Sequence, residues 1–175
     1  MRAIAQSFLS CFAVYGAFAV TPDAAQIDSI TLARTACLGS CPVYSVTVRR
    51  DGTVTYKGEY FVKAKGRRSR RISASMFQQL ADEFCKSGFF GFEDQYVLKD
   101  KHPDGRVYAI SDMPSAITSV QSGALRKSVS SNDDGSESGL GPDAVLVGRS
   151  PEALRRLDAL IDKISGSAAW AGNET

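Results

Sequence analysis

The chain reads as an α+β domain in which an antiparallel β-sheet carries two α-helices packed on one face. Apolar and polar residues alternate over residues 30–34 and 43–48, the period-2 pattern of half-buried strands. Asp51-Gly52 and Ser122-Gly123 interrupt further alternating runs, as hairpin turns do. Two later stretches switch to helical spacing, with Phe77, Leu80, Ala81 and Phe84 on one stripe and Leu154, Leu157, Ile161 and Ile164 on the other.

The first element is not part of the domain. Arg2 precedes an apolar run over residues 8–20, and Ala17-Phe18-Ala19 offers a small-x-small cleavage site, the layout of a secretory signal peptide over residues 1–19. The run is shorter than the roughly 20 apolar residues of a membrane span. Cleavage would remove Arg2 and Cys11, taking 21 basic residues against 19 acidic ones to 20 against 19 and four cysteines to three. A nearly neutral mature chain has no global bias toward nucleic acid or membrane. Its length suits one domain, drawn here at residues 27–166, with a flexible tail at 167–175. The expected unit is monomeric and periplasmic or secreted, where disulfides persist.

Strand one, residues 30–34, leads into Cys37-Leu38-Gly39-Ser40-Cys41-Pro42-Val43-Tyr44. Glycine between the cysteines permits positive φ, so a five-residue turn can bring their Cα atoms to the 4.4–6.8 Å that a disulfide requires. Strands 43–48 and 53–56 flank Asp51-Gly52, read as a type I′ turn, and a very basic fourth strand runs over 66–72. Ser73 or Ser75 caps the first helix, with Gln78 completing a capping box after Ser75, and Gly88 ends it. Phe89, Phe90, Phe92 and Tyr96 read as core beneath a loop, and residues 93–114 as loop.

A second hairpin spans 116–120 and 125–131, followed by a Gly/Ser/Asp-rich mobile loop over 132–142. Ser150 is placed as N-cap and Pro151 as N1 of the last helix, which Gly166 ends. The two halves thus repeat a β-β-α pattern without a residue-level repeat. A rival arrangement pairs the second half with the first strand in a cystatin-like sheet curved around one helix.

The cysteine motif, the Asp51-Gly52-Thr53-Val54 turn, a helix beginning near Ser73 and Asp112-Met113-Pro114 ahead of a late strand together resemble the bacterial family of domain of unknown function 6438. Its hallmark is Cys-x-Gly-x-Cys-Pro-x-Tyr, and the resemblance covers residues 27–164. It implies a location consistent with export and directs attention to Cys37, Gly39, Cys41, Pro42 and Tyr44. It implies no activity, cofactor or catalytic residue.

The three remaining cysteines leave the pairing open. Cys37 can join Cys41, leaving Cys85 free beside the apolar stripe of the first helix; Cys85 can join one motif cysteine; or the thiols stay reduced or metal-bound. Chain entropy gives a five-residue ring about 2 kcal/mol and a bridge from Cys41 to Cys85 about 4 kcal/mol.

Three functional classes follow. The leading one is a non-enzymatic exported module, a binder or envelope component. The single histidine, His102, lies in a charged loop, and no phosphate loop, paired-histidine metal motif, nucleotide fingerprint or other cofactor motif is present. The second is thiol redox or copper handling by Cys37 and Cys41 with His102 as third ligand, since thiolate and imidazole suit Cu(I). Against it, the segment after Pro42 reads as strand, whereas thiol-activating motifs lead into a helix N-terminus. The third is an anionic-polymer binder using Lys63, Lys65, Arg67, Arg68, Arg70 and Arg71. Cations on an edge strand also serve to block edge-to-edge aggregation. The acidic run at 132–137 lacks the alternating oxygen donors of a calcium loop.

Overall fold

The computed structural model describes residues 22–110, 112–135 and 145–172; the expected leader at 1–19 lies outside them. Strands β1 (Ser29–Arg34), β2 (Val43–Arg49), β3 (Thr53–Tyr60) and β4 (Gly66–Arg71) precede helix α1 (Ala74–Lys86). Short strands β5 (Gln95–Tyr96), β6 (Lys99–Lys101) and β7 (Val107–Ala109) come next, then β8 (Ala116–Ser122), β9 (Leu125–Ser131) and β10 (Val145–Val147). Helices α2 (Glu152–Ser165) and α3 (Ser167–Ala171) close the chain.

Seven strands form one sheet in the order β4-β3-β2-β1-β8-β9-β5, antiparallel except for the two-residue parallel pairing of β5 with β9. β1 is central, with one hairpin on each side: Leu32 faces Val46 of β2 and Thr118 of β8. The alternation in β1, β2 and β3 sends Ile30, Leu32, Val46, Val48, Val54 and Tyr56 to one face, all of them fully buried. Phe77, Leu80, Ala81 and Phe84 of α1 and Leu154, Leu157 and Ile161 of α2 cover that face in a single core, and the two helices touch. Each of the buried Leu, Ile, Val and Phe side chains contributes about 1.5–3 kcal/mol by leaving water. Phe89 is buried in the same core, with Phe90, Phe92 and Tyr96 packed against it. β8 does pair with β1, as the cystatin-like alternative required, but two helices share the face where that alternative has one.

Several local expectations are corrected. The first hairpin turn is not type I′: Gly52 has φ 79°, no positive φ occurs at Asp51, and the Gly52 N–H donates to the Arg49 carbonyl at 2.9 Å. This is a three-residue loop with glycine at the left-handed bulge position, selected because Asp51 keeps an ordinary φ while its carboxylate accepts from the Thr53 N–H at 2.9 Å. Ser73 is the N-cap of α1, accepting from the Met76 N–H at 3.2 Å; Gln78 donates to Asp82 one turn on and completes no capping box. Residues 93–114 are not a plain loop, since β6 pairs with β7 and with β10 in a second, three-stranded sheet.

Two corrections at the C-terminal end bear on the site. Pro151, not Ser150, is the N-cap of α2, because the Ser150 N–H and hydroxyl are taken by the Asp133 carboxylate at 2.9 and 3.4 Å. Residues 167–171, drawn above as part of the tail, form α3, and residues 173–175 lie outside the described ones. Gly166, at φ 70°, breaks the helix and turns the chain back over β3 and the turn that follows it, where the Ala64 N–H donates to the Trp170 carbonyl at 2.8 Å. Trp170 then packs against Tyr56 with tilted rings, their centroids 5.2 Å apart.

Candidate functional site

β1 ends, β2 and β8 begin, and β9 ends at the same margin of the sheet, so their terminal residues form one cross-strand row. The register places Arg34 between Tyr44 and Ala116, and Ala116 beside Ser131. The chain between β1 and β2 is the cysteine motif. Cys37 and Cys41 are joined by a disulfide with Cα atoms 5.7 Å apart, and Gly39 between them takes φ 142°, a conformation that a side chain would strain.

This loop is tied to the segment before β8. The Leu38 N–H donates to the Asp112 carbonyl at 3.0 Å, the Thr35 N–H to the Ser115 carbonyl at 2.9 Å, and the Ser115 N–H to the Thr35 hydroxyl at 2.8 Å. Asp112 sits at φ 70°, so the Asp112-Met113-Pro114 segment earns its place by presenting a carbonyl to the motif. Cys41 and Pro42 then form one wall of a cavity of about 300 Å³. Pro114, Ser115 and Ala116 form the next wall, Asn132, Asp133 and Asp134 the third, and Arg155, Asp158 and Ala159 of α2 the roof, with Arg34 at the floor.

Charged side chains surround this cavity in three groups. Behind it, the buried Asp162 carboxylate accepts from Arg34 Nη2 at 2.8 Å and from the Tyr44 hydroxyl at 2.8 Å, and also holds the Ser167 hydroxyl. Arg34 Nε donates in turn to the Tyr44 oxygen at 2.9 Å. Burial first, then the Asp162 charge, raises the Tyr44 pKa above its ordinary value, keeping the phenol neutral. Burial opposes the Arg34 charge, but Tyr44 and Asp162 outweigh it and hold the guanidinium protonated. On the opposite side, Asp133 has no exposed side-chain surface and accepts from Arg155 Nη1 at 3.0 Å and from the Gly135 N–H at 3.0 Å.

Asp158 is the third. It is 7 % exposed, and one carboxyl oxygen accepts from the Thr118 hydroxyl. Burial, against the Thr118 hydrogen bond and Arg34 but with Asp162, pushes its pKa up to about 6. Because the folded-state value lies above the unfolded one, the protonated carboxyl favours folding; that contribution is full below about pH 4 and is lost as pH rises through about 6. Asp158→Asn is therefore expected to gain stability relative to the wild type as pH rises from 4 to 7, on the order of 2 kcal/mol. Paired urea titrations across that range check it, and a pH-independent difference would contradict it.

The other expected residues do not join this cavity. His102 lies in the turn region between β6 and β7, 3.4 Å from Asp100, and no group of three His, Cys, Asp or Glu side chains among the described residues is arranged to hold a metal. Cys85 is a free, half-buried thiol whose Sγ contacts the Pro22 carbonyl at 3.5 Å; burial first, then Asp23 and Asp82, pushes its pKa up. The basic strand β4 is wholly exposed, but its pleat divides the charges. Arg67 and Arg71 pair with Lys57 and Thr53 on the open face of the sheet, while Arg68 and Arg70 pair with Tyr56 and Val54 on the helical side. Arg70 lies across Gly166, where a Cβ would meet its Nη1 at 2.2 Å. Lys63 and Lys65 stand exposed on the β3–β4 turn.

The linear sequence does not mark Arg34, Arg155, Asp158 or Asp162 as site residues, and it shows Asp133 only as part of the acidic run at 132–137. One signal was there: Asp158 and Asp162 lie four residues apart on the same side of α2 as Leu154, so an apolar stripe carries two carboxylates. Two acids on a buried stripe mark a polar site within a core.

The sheet, the two helices and the disulfide-walled cavity define a small α+β domain with a polar pocket at one end. Residues 28–164 match the family model described as domain of unknown function (DUF6438), and the chain belongs to that family. No curated protein sequence matches it. No helix among the described residues is long and apolar enough to cross a membrane.

Proposed function

We propose that this protein is an exported, non-enzymatic binding module whose Cys37–Cys41 disulfide stiffens the wall of a small-molecule pocket. The observation that carries this reading is the convergence of the motif loop, Arg34, Asp158 and the Asp133–Arg155 pair on one cavity of about 300 Å³. Such a volume is at the lower end of ligand sites. Export is supported by the leader pattern at 1–19 and by a disulfide that an oxidising compartment sustains. Thiol or copper chemistry fits less well, since the cysteines are joined to each other and His102 is not assembled with them.

The test is a fragment screen by amide NMR on the oxidised protein. Binders are expected to shift the amides of Ala116, Asn132 and Ala159. Replacing both Cys37 and Cys41 by Ser is expected to weaken those binders and cost about 2 kcal/mol in unfolding free energy, the value for a small ring. Intact mass with and without reduction checks the disulfide itself. Free thiols in protein exported to an oxidising compartment, or a fragment set that never reaches the pocket, would overturn the proposal.

One further observation favours a second reading, attachment to an acidic polymer through the open sheet face. Ser69, Thr55, Thr47, Thr31, Ser119 and Ser128 lie in a single cross-strand row, with Arg67, Arg71 and Lys57 on the same face toward the β4 edge. Salt-sensitive retention on a polyanionic resin, lost when Arg67 and Arg71 are both replaced by Ser, would support it. Retention unchanged by that pair of substitutions would remove it.

A further inference from the structure

The pocket holds polar atoms that the protein leaves unused, and they come in both signs. Asp158 spends one oxygen on Thr118; its second has no protein hydrogen-bond partner among the described residues, and Asp158 joins no ion pair there. Arg34 spends Nε and Nη2 on Tyr44 and Asp162 and keeps Nη1. Arg155 spends Nη1 on Asp133 and Ser150 and keeps Nη2. None of these three atoms is sealed from solvent.

The charge count narrows the ligand. Arg34 is paired with Asp162, and Arg155 shares Asp133 with Arg149, whereas Asp158 joins no ion pair among the described residues; Asp134 adds a further acidic group to the lining. A plain anion would bring a negative charge beside Asp158 with nothing to offset it, and a plain amine would leave the free guanidinium N–H groups to water, so neither uses both halves of the site. A metal ion is disfavoured because no three acidic, histidine or cysteine side chains converge among the described residues.

We propose that the pocket takes a small zwitterion, an α-amino acid or dipeptide, with its ammonium group on Asp158 and its carboxylate on Arg34 and Arg155. This rests on the pocket being the functional site, as argued above. Arg34 Nη1 and Arg155 Nη2 each supply a charge-assisted donor for a carboxylate, and Asp158 supplies the charge-assisted acceptor that an ammonium group needs. The groups facing Asp158 are Thr118 from β8, Arg34 from β1 and Asp162 from its own helix. Protonation of Asp158 removes the acceptor charge, so affinity is expected to fall up to tenfold per unit as pH drops below about 6.

The experiment is NMR titration of the oxidised protein with L-alanine and L-alanyl-L-alanine, against methylamine and acetate as single-charge probes. At least one zwitterion is expected to saturate the pocket amides, with both single-charge probes at least tenfold weaker. Asp158→Asn, which keeps shape and the Thr118 acceptor, is expected to lose at least tenfold for the zwitterion and nothing for acetate. Acetate or methylamine binding as tightly as the zwitterion, or Asp158→Asn binding like the wild type, would overturn the ligand class. If only neutral fragments occupy the pocket, the zwitterion is wrong and the pocket stands; if nothing occupies it, both fail.

Discussion

Asp162→Ala is expected to lower the unfolding free energy by about 3–4 kcal/mol, the range for removing one partner of a buried ion pair. The substitution strands three groups at once: the Arg34 guanidinium, the Tyr44 hydroxyl and the Ser167 hydroxyl. Arg34 is 28 % exposed on its side chain and recovers some hydration, which places the loss below the top of that range. Asp162→Asn keeps acceptor oxygen without the charge and is expected to fall between the variant and the wild type. Urea denaturation measures all three, and a double-mutant cycle with Arg34→Met isolates the coupling. A loss under about 1 kcal/mol for Asp162→Ala would place this network with surface ion pairs.

Asp133→Ala has an expected cost of about 3–5 kcal/mol by the same reasoning. Its carboxylate is fully buried and anchors the entry to α2, through the Ser150 N–H and hydroxyl, while pairing with Arg155 at 3.0 Å. It stands in for the missing side-chain cap at Pro151. Hydrogen exchange should therefore quicken first over residues 153–157, before the sheet is affected. Exchange that rises evenly across the domain would show that Asp133 supports the fold at large and has no special hold on this helix end.

These two carboxylates show where legibility stopped. The strands and helices could be read because each is announced by its own neighbours: alternation at 43–48, glycine after Asp51, a four-residue apolar stripe in each helix. The family motif was legible too, since Cys37, Gly39, Cys41 and Pro42 are contiguous. Asp133 looked like part of a solvated loop because its composition matches one; its partners at 149, 150 and 155 are supplied by the start of a helix that folds back on it. The tail after Gly166 reads as frayed because five residues make no stable helix alone, and the contact of Trp170 with Tyr56 joins residues far apart in the chain. The basic run looked like one patch because a linear count ignores the pleat, which sends alternate arginines to opposite faces.

By itself the sequence determined the α+β class, the two hairpins, the helical stripes, the cysteine motif and a leader-like beginning, all of which depend on residues within about one element of each other. The tertiary structure alone decided that Cys37 pairs with Cys41 while Cys85 stays free, that β1 is central, and that Arg34 meets an aspartate 128 residues away. The physical reason is range. Propensity, periodicity and turn chemistry act over a few residues, whereas a pocket forms from side chains whose nearness is set by strand register and helix packing, and the chain has to close before those charges find one another.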